Sequence, residues 1–239
     1  MSVPAHAAAI VLAGGSGTRL GAARNKVYLP LAGRMVIVWS LAAMAQHPDV
    51  GPVVLVVREG DPHVDDALRA AVGSACPGVE IVTGGATRQE SELAGLRRLA
   101  DRIDGGGVDV VLIHDGARPM ADAPLVDAVL TAARTHGGAV PGLRRDDVVA
   151  ATADGTGLAG PAPAGLVAVQ TPQAFVADRL LAAYEEAARV GFAGTDTASC
   201  MARFAPDVRV RWVQGDERNF KITYAGDLER AEHVMADRA

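Results

Sequence analysis

The chain has 239 residues, 49% of them hydrophobic, 21% charged and 4% aromatic. That is too apolar and too evenly charged for disorder, and long enough for one α/β domain. Lys and Arg number 23 against 28 Asp and Glu, a formal charge of −5, so the chain carries no global basic footprint for nucleic acid. Cys76 and Cys200 make neither a disulfide scaffold nor a CxxC metal spacing, and are expected to be two buried free thiols. The apolar stretch within residues 1–13 has no Lys or Arg before it and is cut by Gly14-Gly15. No later run approaches the roughly 18–20 apolar residues of a membrane span, which predicts a soluble, cytoplasmic protein without a membrane partner.

In chain order, residues 8–13, 52–57, 79–82 and 108–114 are short, β-branched apolar runs that read as strands buried on both faces. Residues 36–45, 64–71, 89–102 and 123–135 have helical patterning and alternate with them. This rhythm predicts an α/β fold with a Rossmann-like, mostly parallel sheet covered by helices. Residues 137–165 interrupt it. Within them, 148–152 and a segment from Leu158, joined through Asp154-Gly155, read as an inserted hairpin, a dimerisation arm or lid rather than a second domain. The expected organisation is one domain over 1–239 with an arm at about 139–165. A helix at 177–189, a strand at 208–213 and a helix at 225–236 complete the pattern.

Ligands of such sheets bind beyond the carboxyl ends of the strands. The first strand runs into Ala13-Gly14-Gly15-Ser16-Gly17-Thr18-Arg19-Leu20, followed by Lys26. Glycines let backbone N–H groups cradle phosphate oxygens, and Arg19 and Lys26 add two cations. The dinucleotide fingerprint fails at Leu20 and the Walker A pattern lacks its G-K-[ST], which counts against an NAD(P)-linked oxidoreductase. The plain alternative is a glycine-rich turn with two solvated basic residues. The fourth strand ends in His114-Asp115-Gly116-Ala117-Arg118-Pro119. Asp115 is either a magnesium ligand beside phosphate oxygens or a helix cap or partner of Arg118, and His114 suits a satisfied core histidine. In Thr83-Gly84-Gly85-Ala86-Thr87-Arg88-Gln89-Glu90-Ser91, the backbone and the Ser91 hydroxyl can read the edge of a base, or the segment is simply an N-capped helix start.

The first loop with Lys26 resembles the nucleotide signature of sugar-phosphate nucleotidylyltransferases. Five further blocks are similar to one branch of them: Gly84-Gly85-x-x-Arg88-x-x-Ser91, His114 to Pro119, Gln170-Thr171-Pro172-Gln173-Ala174-Phe175, Thr195-Asp196-Thr197-Ala198-Ser199, and Gly215 through Asn219-Phe220-Lys221-Ile222-Thr223. That branch comprises the 2-C-methyl-D-erythritol 4-phosphate cytidylyltransferases and their ribitol-5-phosphate relatives. The blocks run in family order over nearly the whole chain. The resemblance implies transfer of CMP from CTP to an alditol phosphate in isoprenoid precursor synthesis, with release of pyrophosphate, Mg²⁺ as cofactor, and a homodimer joined by the arm. It implies that Ala13, Gly14, Gly15, Ser16 and Gly17 wrap the triphosphate and that Gly84, Gly85 and Ser91 recognise cytosine. It further implies that Asp115 holds the metal and that Arg19, Lys26 and Lys221 are the catalytic cations.

On the acceptor side the pattern departs. Pro163 stands eight residues before Thr171, where the methylerythritol enzymes place an arginine, and Asp146-Asp147 stands where they place a threonine after an aspartate. Arg144 and Arg145 are the candidate substitutes beside Asp147. Ribitol 5-phosphate, or another phosphate or phosphonate, is therefore the alternative acceptor. The non-enzymatic alternative, a nucleotide-binding regulatory relative, is opposed by the presence of Arg19, Lys26, Asp115 and Lys221.

Overall fold

A computed structural model describes residues 6–14, 25–194 and 196–237. Strands β1 (His6–Leu12), β4 (Val50–Val57), β5 (Glu80–Thr83) and β6 (Val108–Asp115) lie parallel in the order β5-β4-β1-β6. Period-2 side-chain alternation divides each central strand between two cores. Ala7, Ala9 and Val11 of β1 pack with α1 (Val36–Ala45), α2 (Asp66–Ala75) and α4 (Ala123–His136) on one face. Ala8 and Ile10 pack with α3 (Arg88–Asp104), α5 (Ala177–Arg189) and α6 (Thr197–Phe204) on the other. The expected parallel strands and two helical layers are present, but β5, at the edge of the sheet, is only partly buried rather than covered on both faces. On α3, a Cβ at Gly95 would stand 2.7 Å from Ile10 Cγ2, so glycine lets the helix lie close against β1. A small β-ribbon, β2 (Pro30–Leu31) and β3 (Arg34–Met35), precedes α1.

Beyond β6 the sheet changes direction. β7 (Gly137–Arg144) follows α4 with no intervening loop, because Gly137 takes φ 104° at the helix's carboxyl end. One edge of β7 pairs antiparallel with β10 (Val167–Val169) and then with β11 (Gln173–Val176), which also pairs antiparallel with β6. β12 (Arg209–Gln214) runs parallel to β7. The bend between β10 and β11 holds a cis Thr171-Pro172 bond.

The inserted hairpin is formed by β8 (Val149–Ala151) and β9 (Leu158–Pro161), antiparallel and exposed. Its start differs from the expected 139: Ala139 and Val140 are core residues of β7, so the excursion begins only after Arg144. Helix α7 (Ala225–Ala236) packs Ala231 with Leu31, Val36, Met120 and Ile222 in a third small core. Cys76 and Cys200 are free and buried, and burial pushes the Cys200 thiol up to about 12. Among the described residues no helix is long and apolar enough to cross a membrane.

Candidate active site

The parallel strands present their carboxyl ends together. Leu12 pairs with Asp115, Gly116 N–H donates to the Leu12 carbonyl at 2.9 Å, and Ala13 N–H donates to the Val56 carbonyl at 2.8 Å. Asp115, the last residue of β6, is buried. Its N–H donates to Thr171 Oγ1 at 2.9 Å. One carboxylate oxygen accepts from Arg88 NH1 at 2.6 Å; the other accepts from Lys221 Nζ at 2.9 Å and lies 3.6 Å from Arg118 Nε. Burial works to raise the Asp115 pKa, but Arg88, Lys221 and Arg118 outweigh it and hold the carboxyl well below the usual range. Asp115 is thus a fixed anion holding three cations, and it does not cap the next helix, which is capped by Asp122.

His114 completes a hydrogen-bond chain behind it. The Arg118 carbonyl, 3.0 Å from Nε2, can only accept, so Nε2 carries the proton. Nδ1 then accepts from the Thr171 hydroxyl at 3.2 Å, whose oxygen takes the Asp115 N–H. Burial holds the imidazole neutral, with a pKa near 4. His114 is a satisfied core residue that orients the Asp115 backbone. Asn219 is buried beside it, donating to the Thr171 carbonyl at 2.8 Å and accepting on its own carbonyl from Arg118 NH1 at 2.7 Å.

The second group forms around the first turn of α3. Thr87 caps this helix in a reciprocal box with Glu90. Glu90 also accepts from Ala86 N–H at 2.7 Å. Any Cβ on Gly85 would run into the Glu90 side chain, and one on Gly84 would lie 2.5 Å from Ser91 Oγ and 2.9 Å from Val56 Cγ1. At Gly14 the same position is 3.8 Å from Ser91 Oγ. Glycines from two strand ends therefore converge on the Ser91 hydroxyl, which donates to the Thr87 carbonyl at 2.9 Å and keeps its lone pairs as acceptors. The segment is both a capped helix start and a close-approach turn. Arg88 and Ser91, three residues apart, share a helix face and join this group to Asp115. On the other side, Asn25 Nδ2 donates to the Ala13 carbonyl at 2.6 Å, fixing Asn25 next to Lys26, which opens a short 3₁₀ turn.

Of the residues expected in the site, the fold brings together Ala13, Gly14, Gly84, Gly85, Ser91, Asp115 and Lys221. Gly15, Ser16, Gly17 and Arg19 lie outside the described residues. Arg144, Arg145 and Asp147 stand at the exposed base of the arm. There Arg145 makes a two-pronged pair with Asp147 at 2.7 Å and Arg144 lies 3.6 Å from Asp146. The sequence motifs assign no role to Arg88, Glu92, Thr171 or Asn219 and make Arg118 only a partner of Asp115. Arg88, Thr171 and Asn219 nonetheless sit inside the quoted motif blocks. Among the described residues no group of three or more His, Cys, Asp or Glu could hold a metal ion. A lone ionised carboxylate suits a hard cation whose other ligands are phosphate oxygens.

Fold and site together define a Rossmann-like nucleotidyltransferase, with a glycine turn and a cation-rich centre at the carboxyl ends of parallel strands. Residues 7–237 match the family model described as IspD: 2-C-methyl-D-erythritol 4-phosphate cytidylyltransferase. The chain belongs to that family. It is 39% identical over 245 residues to the 2-C-methyl-D-erythritol 4-phosphate cytidylyltransferase of Thermobifida fusca, covering 97% of this chain and 96% of that one. It is 40% identical over 231 residues to the bifunctional enzyme IspD/IspF of Rhodospirillum rubrum, covering 97% of this chain and 57% of that longer protein. Among solved structures, the Thermus thermophilus cytidylyltransferase superposes with a TM-score of 0.72 at 30% identity, over 95% of this chain and 98% of that one. The 4-diphosphocytidyl-2C-methyl-D-erythritol synthase of Anaerococcus prevotii superposes with 0.82 at 26% identity, over 97% and 96%.

Proposed function

We propose that this chain transfers CMP from CTP to 2-C-methyl-D-erythritol 4-phosphate and releases pyrophosphate. The observation that carries the reading is the Asp115 cluster: three cations gathered on one buried carboxylate, beside the Gly14, Gly84 and Ser91 turn. An acceptor phosphate oxygen attacks the α-phosphorus of CTP, a new P–O bond forms, and the bond to the β-phosphate oxygen breaks with pyrophosphate leaving. Both reactants are anionic, so the protein's task is to hold them in line and offset charge. Lys221 and Arg118 face that charge, anchored by Asp115 at a defined place rather than swinging in solvent. Lys26 and Arg19 are assigned to the triphosphate, and Gly84, Gly85 and Ser91 to the cytosine edge. Asp115 would hold Mg²⁺ together with phosphate oxygens, and the metal would there supply charge neutralisation at the transferring phosphoryl group.

The arm carries exposed Val149 and Leu158, and Leu166 and Val169 stand exposed just beyond it, beside and within β10, an apolar set that suits burial against a second copy of the chain in a homodimer. The test is pyrophosphate release from CTP, UTP, ATP and GTP against 2-C-methyl-D-erythritol 4-phosphate and ribitol 5-phosphate, with and without Mg²⁺. Turnover with CTP and the methylerythritol acceptor in Mg²⁺ is expected. Turnover only with the ribitol acceptor would move the assignment to that branch, and none with any pair would overturn the transferase reading.

A further inference from the structure

Glu92 is 1% exposed, on the face of α3 that packs against α5 and α6. The apolar core that these helices share includes Leu93, Leu96, Leu180 and Met201. A carboxylate there is tolerated only when donors surround it. Three do: Arg88 Nε at 2.8 Å and Thr197 Oγ1 at 3.2 Å reach Oε1, and the Tyr184 hydroxyl reaches Oε2. Each donor comes from a different helix. The guanidinium that Glu92 grips at Nε is the one that reaches Asp115 with NH1. Because the guanidinium is planar and rigid, two anchors at its two ends fix both its position and its plane.

We propose that Glu92 is a positioning residue for the transfer reaction. Clamped by Tyr184 and Thr197, it sets Arg88, and through Arg88 it sets the Asp115 carboxylate that holds Lys221. The relay runs from the α5–α6 packing to the reacting centre without Glu92 touching a substrate. This inference rests on the transferase reading given above. Its consequence is a loss in turnover rather than in nucleotide binding, since what is disturbed is the aim of Arg88, Asp115 and Lys221.

The experiment uses the full chain. Glu92→Met removes every acceptor at similar volume, whereas Glu92→Gln keeps an oxygen for Arg88 Nε. Glu92→Met should lower kcat about 10- to 100-fold with less than about threefold change in the KM for CTP, and Glu92→Gln should recover most of that loss. Tyr184→Phe, which leaves Glu92 in place but removes one clamp, should show a smaller decrease of the same kind. In an Arg88→Lys background, Glu92→Met should cost little more, because both changes act on one contact. The Arg88 Nε–H resonance, identified by its loss in Arg88→Lys, should be sharp and slow to exchange in wild type and Glu92→Gln. In Tyr184→Phe and, where it folds, Glu92→Met it should be exchange-broadened. An unaltered resonance in both variants, fully additive losses, or a Glu92→Met kcat within threefold of wild type would overturn the proposal. If the wild type releases no pyrophosphate from CTP, the transferase reading fails by itself, and the arginine resonance still decides whether Glu92 holds Arg88.

Discussion

Two arginine–aspartate pairs of nearly the same length sit in different parts of this molecule. Arg88 meets Asp115 at 2.6 Å beneath the strand ends, and Arg145 meets Asp147 at 2.7 Å at the base of the arm. The first aspartate side chain is 9% exposed and the second 70%. Water screens the arm pair and can replace either partner, so the contact is geometrically good and energetically slight. At Asp115 water has been largely displaced from the carboxylate, and the pair shares its charges with Glu92, Arg118 and Lys221, so the geometry has consequences. Distance alone does not separate a functional ion pair from an incidental one; burial and shared partners do.

Asp115→Asn should break the comparison most visibly. The amide cannot balance Arg88, Arg118 and Lys221, and it is a poor hard-cation ligand. Pyrophosphate release is expected to fall about 10²–10³-fold or more. The stability loss, read by urea unfolding, should stay below the roughly 3–5 kcal/mol of a fully buried pair, because Arg88 and Lys221 retain access to water. A magnesium titration that overlays that of wild type would remove Asp115 from the metal site.

Lys221→Ala comes next. It leaves the buried Arg88–Asp115 contact and takes away one cation, so kcat should fall about 10²-fold with the fold intact by circular dichroism. Near-normal turnover would reduce Lys221 to a surface partner of Asp115.

The buried region should also respond to acid where the arm does not. His114 stays neutral in the native protein down to about pH 4, whereas an unfolded histidine takes its proton near 6.5. Its contribution is present in full above about pH 6.5 and is lost as pH falls towards 4, because there the unfolded chain binds the proton that the native one refuses. That separation corresponds to roughly 3 kcal/mol, most of it visible in urea unfolding between pH 7 and 4.5. The slope should flatten in His114→Gln, and an unchanged slope would assign it to another group.

The smallest effects are expected at the arm. Arg145→Ala and Asp147→Thr should leave the thermal midpoint unchanged within error. Asp147→Thr frees Arg145 and removes a carboxylate, so any acceptor phosphate that reaches this region should gain in kcat/KM. If both variants leave kcat/KM for 2-C-methyl-D-erythritol 4-phosphate untouched, the acceptor does not use this end of the molecule.

The elements most legible in the sequence are those whose pattern is self-sufficient. Helix 36–45 and helix 177–189 were expected with the observed bounds; the second is carried by apolar residues on one face, whereas the first is apolar nearly all round and buried. β7 was not expected. Gly137, Gly138, Pro141 and Gly142 read as a break in the sheet, and the glycines among them are required there by their neighbours. A Cβ at Gly138 would stand 2.7 Å from Phe175 Cδ1, and one at Gly142 would stand 2.9 Å from the Ala168 carbonyl. β10 and β11 were hidden likewise, since their pairing with β7 is set by contacts distant in sequence. Helix α6 begins at an Asp196–Ser199 capping box that was read only as part of a motif block.

In the site, the order of the motif blocks along the chain was enough to single out the loops, because loops after parallel strands must gather at one edge of the sheet. Asp115 and Lys221, to which the resemblance assigns the metal and a catalytic cation, lie 2.9 Å apart although 106 residues separate them in sequence. What remained undecided was whether Asp115 was a metal ligand, a cap or an ion-pair partner, and that depended on which cations surround it. Arg88 arrives from α3, Lys221 from the segment before α7, and Glu92 takes its meaning only when Tyr184 and Thr197 close over it. Sequence by itself determined the alternation of strands and helices and the edge at which chemistry gathers, since both follow from local periodicity and chain direction. Tertiary structure alone decided which charges meet and which remain in water, because the strength of an ion pair is set by the solvent that the rest of the fold excludes.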